Sequence, residues 1–105
     1  MNEECWQKLS LAEQLGNIGG EVHRAVKEKG VHGERYENAV VRALELFDCT
    51  FADPRWRGAR RKEIGRVREV FCDAALGGGM YKTTLEDLDR YFFGFAEVAM
   101  RFRQK

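Results

Sequence analysis

The chain has 105 residues, 44% of them hydrophobic, which suffices for one compact domain and is too apolar for a disordered tail. Charged side chains make up 33% of it, and no run approaches the roughly 18 apolar residues of a spanning helix, so no membrane-embedded segment is expected. Eighteen Lys and Arg against 17 Asp and Glu leave a formal charge of +1, which argues against a protein whose whole surface is built to wrap a polyanion.

Apolar residues recur at helical spacing almost throughout, and start and stop signals cut the chain into four segments. Cys5 to Leu9 add a turn that folds Trp6 onto the remainder. The first long helix is expected over 11–29. It opens with Ser10-x-x-Glu13, a capping box in which hydroxyl and carboxylate satisfy orphaned backbone donors, and Gly30 stops it. Leu11, Leu15, Ile18, Val22 and Val26 form its apolar stripe. The second is expected over 34–51, with a stripe of Tyr36, Val40, Ala43, Phe47 and Phe51 widened by Leu44.

Asp53-Pro54 is the sharpest break, with Asp read as an N-cap and Pro as the first helical residue; this predicts a third helix over 54–76, stopped by Gly77-Gly78-Gly79. A second capping box, Thr83-Thr84-Leu85-Glu86, opens a fourth over 84–103, with the stripe Leu85, Leu88, Phe92, Phe95, Ala99 and Phe102. The fold class that follows is all-α, an antiparallel four-helix bundle forming one domain over residues 1–105. Leu15, Ile18, Val22, Val40, Phe47, Ile64, Val67, Phe71, Leu88, Phe92 and Phe95 are its expected core.

Charge is unevenly spread: residues 1–50 carry 6 basic and 9 acidic side chains, residues 51–105 carry 12 and 8. Arg55, Arg57, Arg60, Arg61, Lys62, Arg66 and Arg68 crowd the predicted third helix. At about 100° per residue, Arg57, Arg61 and Arg68 fall within about 40° of one another, beside the apolar arc of Trp56, Ile64, Val67 and Phe71. Guanidinium groups pair with phosphate or carboxylate in a planar fork, so the ridge reads either as a contact to nucleic-acid phosphates, with Trp56 as a stacking platform, or as a solvated face paired with acids of the first two helices. The near-neutral total favours the second. Arg60 points into the apolar arc, which predicts pairing with a buried acid such as Asp48 or a place between subunits.

Tyr91, Phe92, Phe93, Phe95, Val98, Met100 and Phe102 of the fourth helix spread beyond the roughly 100° stripe that a bundle buries. A homodimer or larger assembly is therefore expected, with Tyr91, Phe93 and Met100 at its interface; the alternative is that the Trp6 segment folds back over them. Gly16, Gly19 and Gly20 in the first helix predict close approach of a neighbouring helix, with Asn17 among them as a buried polar contact.

No cofactor, metal or catalytic residue is expected. Cys5, Cys49 and Cys72 are odd in number and widely spaced, which fits neither a disulfide framework nor a zinc site, and Cys49 and Cys72 read as buried packing residues. His23 and His32 lie outside any metal-binding spacing, Gly20 stands where a Glu-x-x-His pair needs its carboxylate, and Arg24 and His32 do not match the spacing of helical ribonucleases. Met1-Asn2-Glu3-Glu4 is acidic where a secretory leader is basic, so a cytoplasmic location is expected.

The segment Glu13-Gln14-Leu15-Gly16-Asn17-Ile18-Gly19-Gly20-Glu21, followed by Tyr36, Arg42-Ala43-Leu44-Glu45-Leu46 and Ala52-Asp53-Pro54-Arg55-Trp56-Arg57, resembles a family of short bacterial helical-bundle proteins of unknown function, a resemblance that spans most of the chain and implies no activity. Asn17-Ile18 and the Ala- and Leu-rich helix after it are also similar, more remotely, to the four-helix-bundle proteins of ribosomal RNA intervening sequences and of diversity-generating retroelements. That second resemblance implies ring-like oligomers whose basic surface engages nucleic acid and a protein partner. The residues themselves lead first to a non-enzymatic bundle that self-associates and engages a protein partner, and second to a nucleic-acid-binding accessory protein using the arginine ridge.

Overall fold

Ser10 starts the first long helix as its neighbours dictate. In the computed structural model, which describes the backbone of residues 3–103 and the side chains of residues 5–95 and 97, Glu13 N–H donates to Ser10 Oγ at 3.1 Å and Ser10 N–H donates to Glu13 Oε1 at 3.0 Å. A short α1 (Glu3–Trp6) precedes this cap, and α2 (Leu11–Glu28), α3 (Gly33–Phe51), α4 (Ala59–Leu76) and α5 (Leu85–Arg103) follow. These four long helices make an all-α four-helix bundle, with no strand among the described residues. Tyr36 Oη donates to the Ala75 carbonyl at 2.9 Å, tying the start of α3 to the end of α4 as antiparallel neighbours require.

α2 is the central helix, packed extensively on both α3 and α5, while α4 leans on α3 and touches α5 more lightly. Ile18, Val22 and Ala25 of α2 are fully buried. Phe47 of α3 joins three helices, its ring 5.7 Å from Phe71 of α4 and 5.9 Å from Phe92 of α5. Every residue expected in the core is buried except Phe95, which is half-buried against it. The close approach expected of the α2 glycines falls to Gly19, where an added Cβ would lie 2.5 Å from Phe92 Cβ; at Gly20 it would meet nothing within 4 Å. Asn17 is exposed and donates to the Glu13 carbonyl one turn back, so it is no buried contact.

Two helix starts differ from expectation. α4 begins at Ala59, with Gly58 as its N-cap at φ 61°, a left-handed value that glycine adopts without Cβ strain. Asp53 caps no helix. Its Oδ1 accepts the Arg55 N–H at 3.0 Å, and Trp56 N–H donates to the Asp53 carbonyl at 3.2 Å, closing a turn that carries the chain over the end of the bundle. The second capping box sits one residue later than expected: Thr84 and Asp87 exchange bonds at 3.1 Å, because burial of Leu85 and Leu88 sets the register of α5.

Beneath the Asp53 turn lies a polar cluster inside the apolar core. The Gln14 amide, fully buried, donates to the Trp6 carbonyl at 2.9 Å and to Asp53 Oδ2 at 3.0 Å, and its Oε1 accepts from Trp56 Nε1 at 2.9 Å. Trp6 Nε1 donates to Thr50 Oγ1 at 3.0 Å. Arg55 binds Asp53 Oδ2 through Nη2 at 2.7 Å, donates to the Leu9 carbonyl and lies 4.5 Å from the centre of the Trp56 ring. Its guanidinium, helped by Gln14 and opposed by burial, holds the Asp53 carboxyl down at about 2.

Two predictions follow from this packing. Gly19→Ala should lose about 1–3 kcal/mol to overpacking against Phe92, whereas Gly20→Ala should gain about 0.5–1 kcal/mol, a contrast read from urea midpoints at equal slope. Because the Asp53 carboxyl lies below its ordinary 3.8 in the folded chain, its contribution of about 2 kcal/mol is present above pH 4 and disappears as the pH falls towards about 2. Asp53→Asn should flatten that part of the stability profile and lower stability at neutral pH.

Candidate functional site

The arginines that sequence spacing gathers into one ridge are separated by the late start of α4. Arg57 lies in the turn before the helix, where its Nε donates to the Pro54 carbonyl at 2.8 Å. Arg61 places its guanidinium 3.7 Å from the centre of the Phe51 ring. Arg68 Nε pairs with Asp48 Oδ1 at 2.9 Å, taking the acid expected for Arg60, and its Nη1 lies 3.8 Å from Cys72 Sγ. Such partly exposed pairs contribute at most about 1 kcal/mol, but each fixes the direction of its guanidinium. Arg60 is exposed rather than turned into the core, and has no carboxylate within ion-pair distance among the described residues. Trp56 is 8% exposed, with its indole N–H bound to Gln14 and Arg55 beside its ring, so it offers no face for a nucleobase.

On α5 the aromatics divide by direction. Phe92 is fully buried and Phe95 half-buried; Tyr91 is 41% and Phe93 64% exposed. Tyr91 retains support within the chain, its ring 5.3 Å from both Phe92 and Phe95, and burial raises its phenol above the ordinary value. Phe93, about 200° round the helix from Tyr91, has no such ring neighbour among the described residues. Met100 falls among the side chains outside those described, as do Ala99 and Phe102 of the predicted stripe. The Trp6 segment does not cover Phe93, because Trp6 is buried with its indole N–H donating to Thr50 and its carbonyl accepting from the Gln14 side chain.

A third surface escapes one-helix reasoning. Between α2 and α3 runs a groove of about 650 Å³ lined by Glu21, Arg24, Lys27, Arg35, Asn38 and Arg42, among others. Arg24 Nη1 is 3.5 Å from Glu21 Oε1, and Glu28 is occupied by His32 Nδ1 at 2.7 Å. Lys27, Arg35 and Arg42 have no ion pair among the described residues. Glu21 Oε2 is buried and accepts no hydrogen bond among the described residues, an expensive condition for a carboxylate oxygen. The signal was present as Arg35, Asn38 and Arg42 at spacings of three and four, one helical face, but only the docking of α2 places Arg24 and Lys27 opposite it.

His23 is exposed and pairs through Nδ1 with Asp89 at 3.1 Å, linking α2 to α5. Cys49 and Cys72, expected to be buried, are half-buried, and Cys5 is exposed. Among the described residues no three His, Cys, Asp or Glu side chains are placed to share a metal ion, and no helix is long and apolar enough to cross a membrane. No protein-family model, curated protein or solved structure matches the chain.

Proposed function

We propose that the protein is a non-enzymatic helical-bundle interaction module that self-associates through α5. The observation carrying this reading is Phe93, a large aromatic left 64% exposed by a chain that buries Trp6, Trp56, Phe47, Phe71 and Phe92. Covering one such ring yields about 1.5–3 kcal/mol, and aromatic anchors of this kind dominate many interfaces. The residues around it suit a two-fold pairing. Arg90, paired with Asp87 on its own helix, and Glu97 flank Phe93 one turn to either side, so two antiparallel copies of α5 crossing at Phe93 set each Arg90 near the opposite Glu97, for which it would have to exchange Asp87. Asp53, whose carboxyl is displaced to about 2, is saturated by Gln14 and Arg55 and serves the fold rather than a reaction.

Light scattering across the micromolar range should give the mass of a dimer or larger assembly, and Phe93→Glu should return it to a monomer with unchanged helical circular dichroism. A strictly monomeric parent chain overturns the reading.

Nucleic-acid binding by α4 is the second reading, favoured by exposed Arg60, with Lys62 beside it, both without a carboxylate partner among the described residues. Binding to mixed single-stranded RNA should then weaken steeply with salt, and Arg60→Gln with Lys62→Gln should reduce the slope of log K against log salt by about 1.4. No binding at low salt removes this reading.

A further inference from the structure

We propose that the groove between α2 and α3 binds a small molecule that carries phosphate at one end and an N–H donor at the other, the chemistry of a nucleotide. This goes beyond self-association and uses none of the α5 surface. At about 650 Å³ the groove lies within the range of sites that take small ligands, roughly 300–1,000 Å³.

Its unpaired polar groups are distributed along its length. α2 and α3 run antiparallel across the short connection between Glu28 and Gly33, so Lys27 stands at the Arg35 end, and Gly20 and Glu21 at the Arg42 end. Neither Lys27 nor Arg35 has a carboxylate within ion-pair distance among the described residues, since the nearby Glu28 is held by His32. Two free cations, one of them a planar fork of donors, match a phosphate group and need break no existing pair to bind it.

The other end holds Arg42, also without an ion pair among the described residues, beside Arg24 and Glu21. Glu21 has a side chain only 14% exposed, and its buried Oε2 lacks a donor although Arg24 reaches Oε1. An amino or imino N–H there would satisfy an oxygen that the described residues leave without a donor. Asn38 lies between Arg35 and Arg42 on the same face of α3, with an amide able to donate and accept. Arg35 and Arg42 are about 10.5 Å apart along the helix axis, about the span from a phosphate to the far edge of a nucleobase.

The test is a titration of the isotope-labelled full chain, followed by amide shifts, with inorganic pyrophosphate and separately with adenosine monophosphate. Both should give saturable shifts confined to residues 20–28 and 35–42, with the nucleotide binding about tenfold more tightly. Lys27→Gln with Arg35→Gln, both exposed positions, should abolish binding of either probe; Arg60→Gln on α4 should change nothing. Glu21→Met should bring the nucleotide down to the pyrophosphate affinity while leaving pyrophosphate bound. Equal affinity for the two probes in the parent chain overturns the assignment, as do shifts scattered over the α4 arginines, binding that survives loss of Lys27 and Arg35, or no saturation. Because oligomer mass is read separately, failure here leaves the α5 reading standing.

Discussion

One buried amide organises the end of this bundle. Gln14 holds a backbone carbonyl of the N-terminal turn, the indole of Trp56 and the carboxylate of Asp53, and each partner comes from a different stretch of chain. A primary amide has two N–H donors and a two-lone-pair oxygen, and here both donors and the oxygen are engaged. An apolar residue at this place would leave an indole N–H, a carbonyl and a carboxylate buried short of partners, which is why a polar group is favoured at the heart of an apolar core. The Arg55 fork neutralises the charge so introduced, and the Asp53 turn is thereby fixed.

From that fixed turn the rest of the architecture descends. The start of α4 is delayed to Ala59, so α4 meets the bundle through Ile64, Val67, Val70 and Phe71 and leaves its first turn, Arg60 included, facing outward. α2 runs from the Gln14 cluster to the middle of the core, where Gly19 admits Phe92 and lets α5 lie close. The tight glycine of α4, Gly65, faces α3, where an added Cβ would lie 3.3 Å from Phe51 Cε2, and the lighter contact of α4 with α5 leaves Tyr91 in a shallow groove beside Arg66 and Val70.

The protein divides its cations between two uses. Arg55, Arg57, Arg61, Arg66 and Arg68 are spent on a buried acid, a carbonyl, an aromatic ring and two surface acids. Lys27, Arg35 and Arg42, like Arg60 and Lys62 of α4, remain without ion pairs among the described residues, although the first three lie in the net acidic half of the chain. A crowded basic segment is thus no measure of available positive charge: guanidinium groups with local partners are consumed by them, and a groove can be cationic where the composition is not.

Sequence alone determined what depends on neighbours within a few residues. Helix periodicity, the Ser10 and Glu13 box, the stops at Gly30 and Gly77 and nearly the whole core were legible because an apolar stripe and a cap are both set by spacings of three and four. Tertiary structure decided what depends on distant partners. Asp53 reads locally as a helix cap, and only Gln14, 39 residues away, makes it a buried turn residue. Trp56 reads as a free aromatic until Gln14 claims its N–H, and Arg68 reads as part of a ridge until Asp48, 20 residues back, pairs with it. The α2–α3 groove exists only where two helices meet, so no single stripe reveals it. The physical reason is common to all four: a polar side chain has several satisfactory partners in sequence, and packing alone brings one of them within about 3 Å.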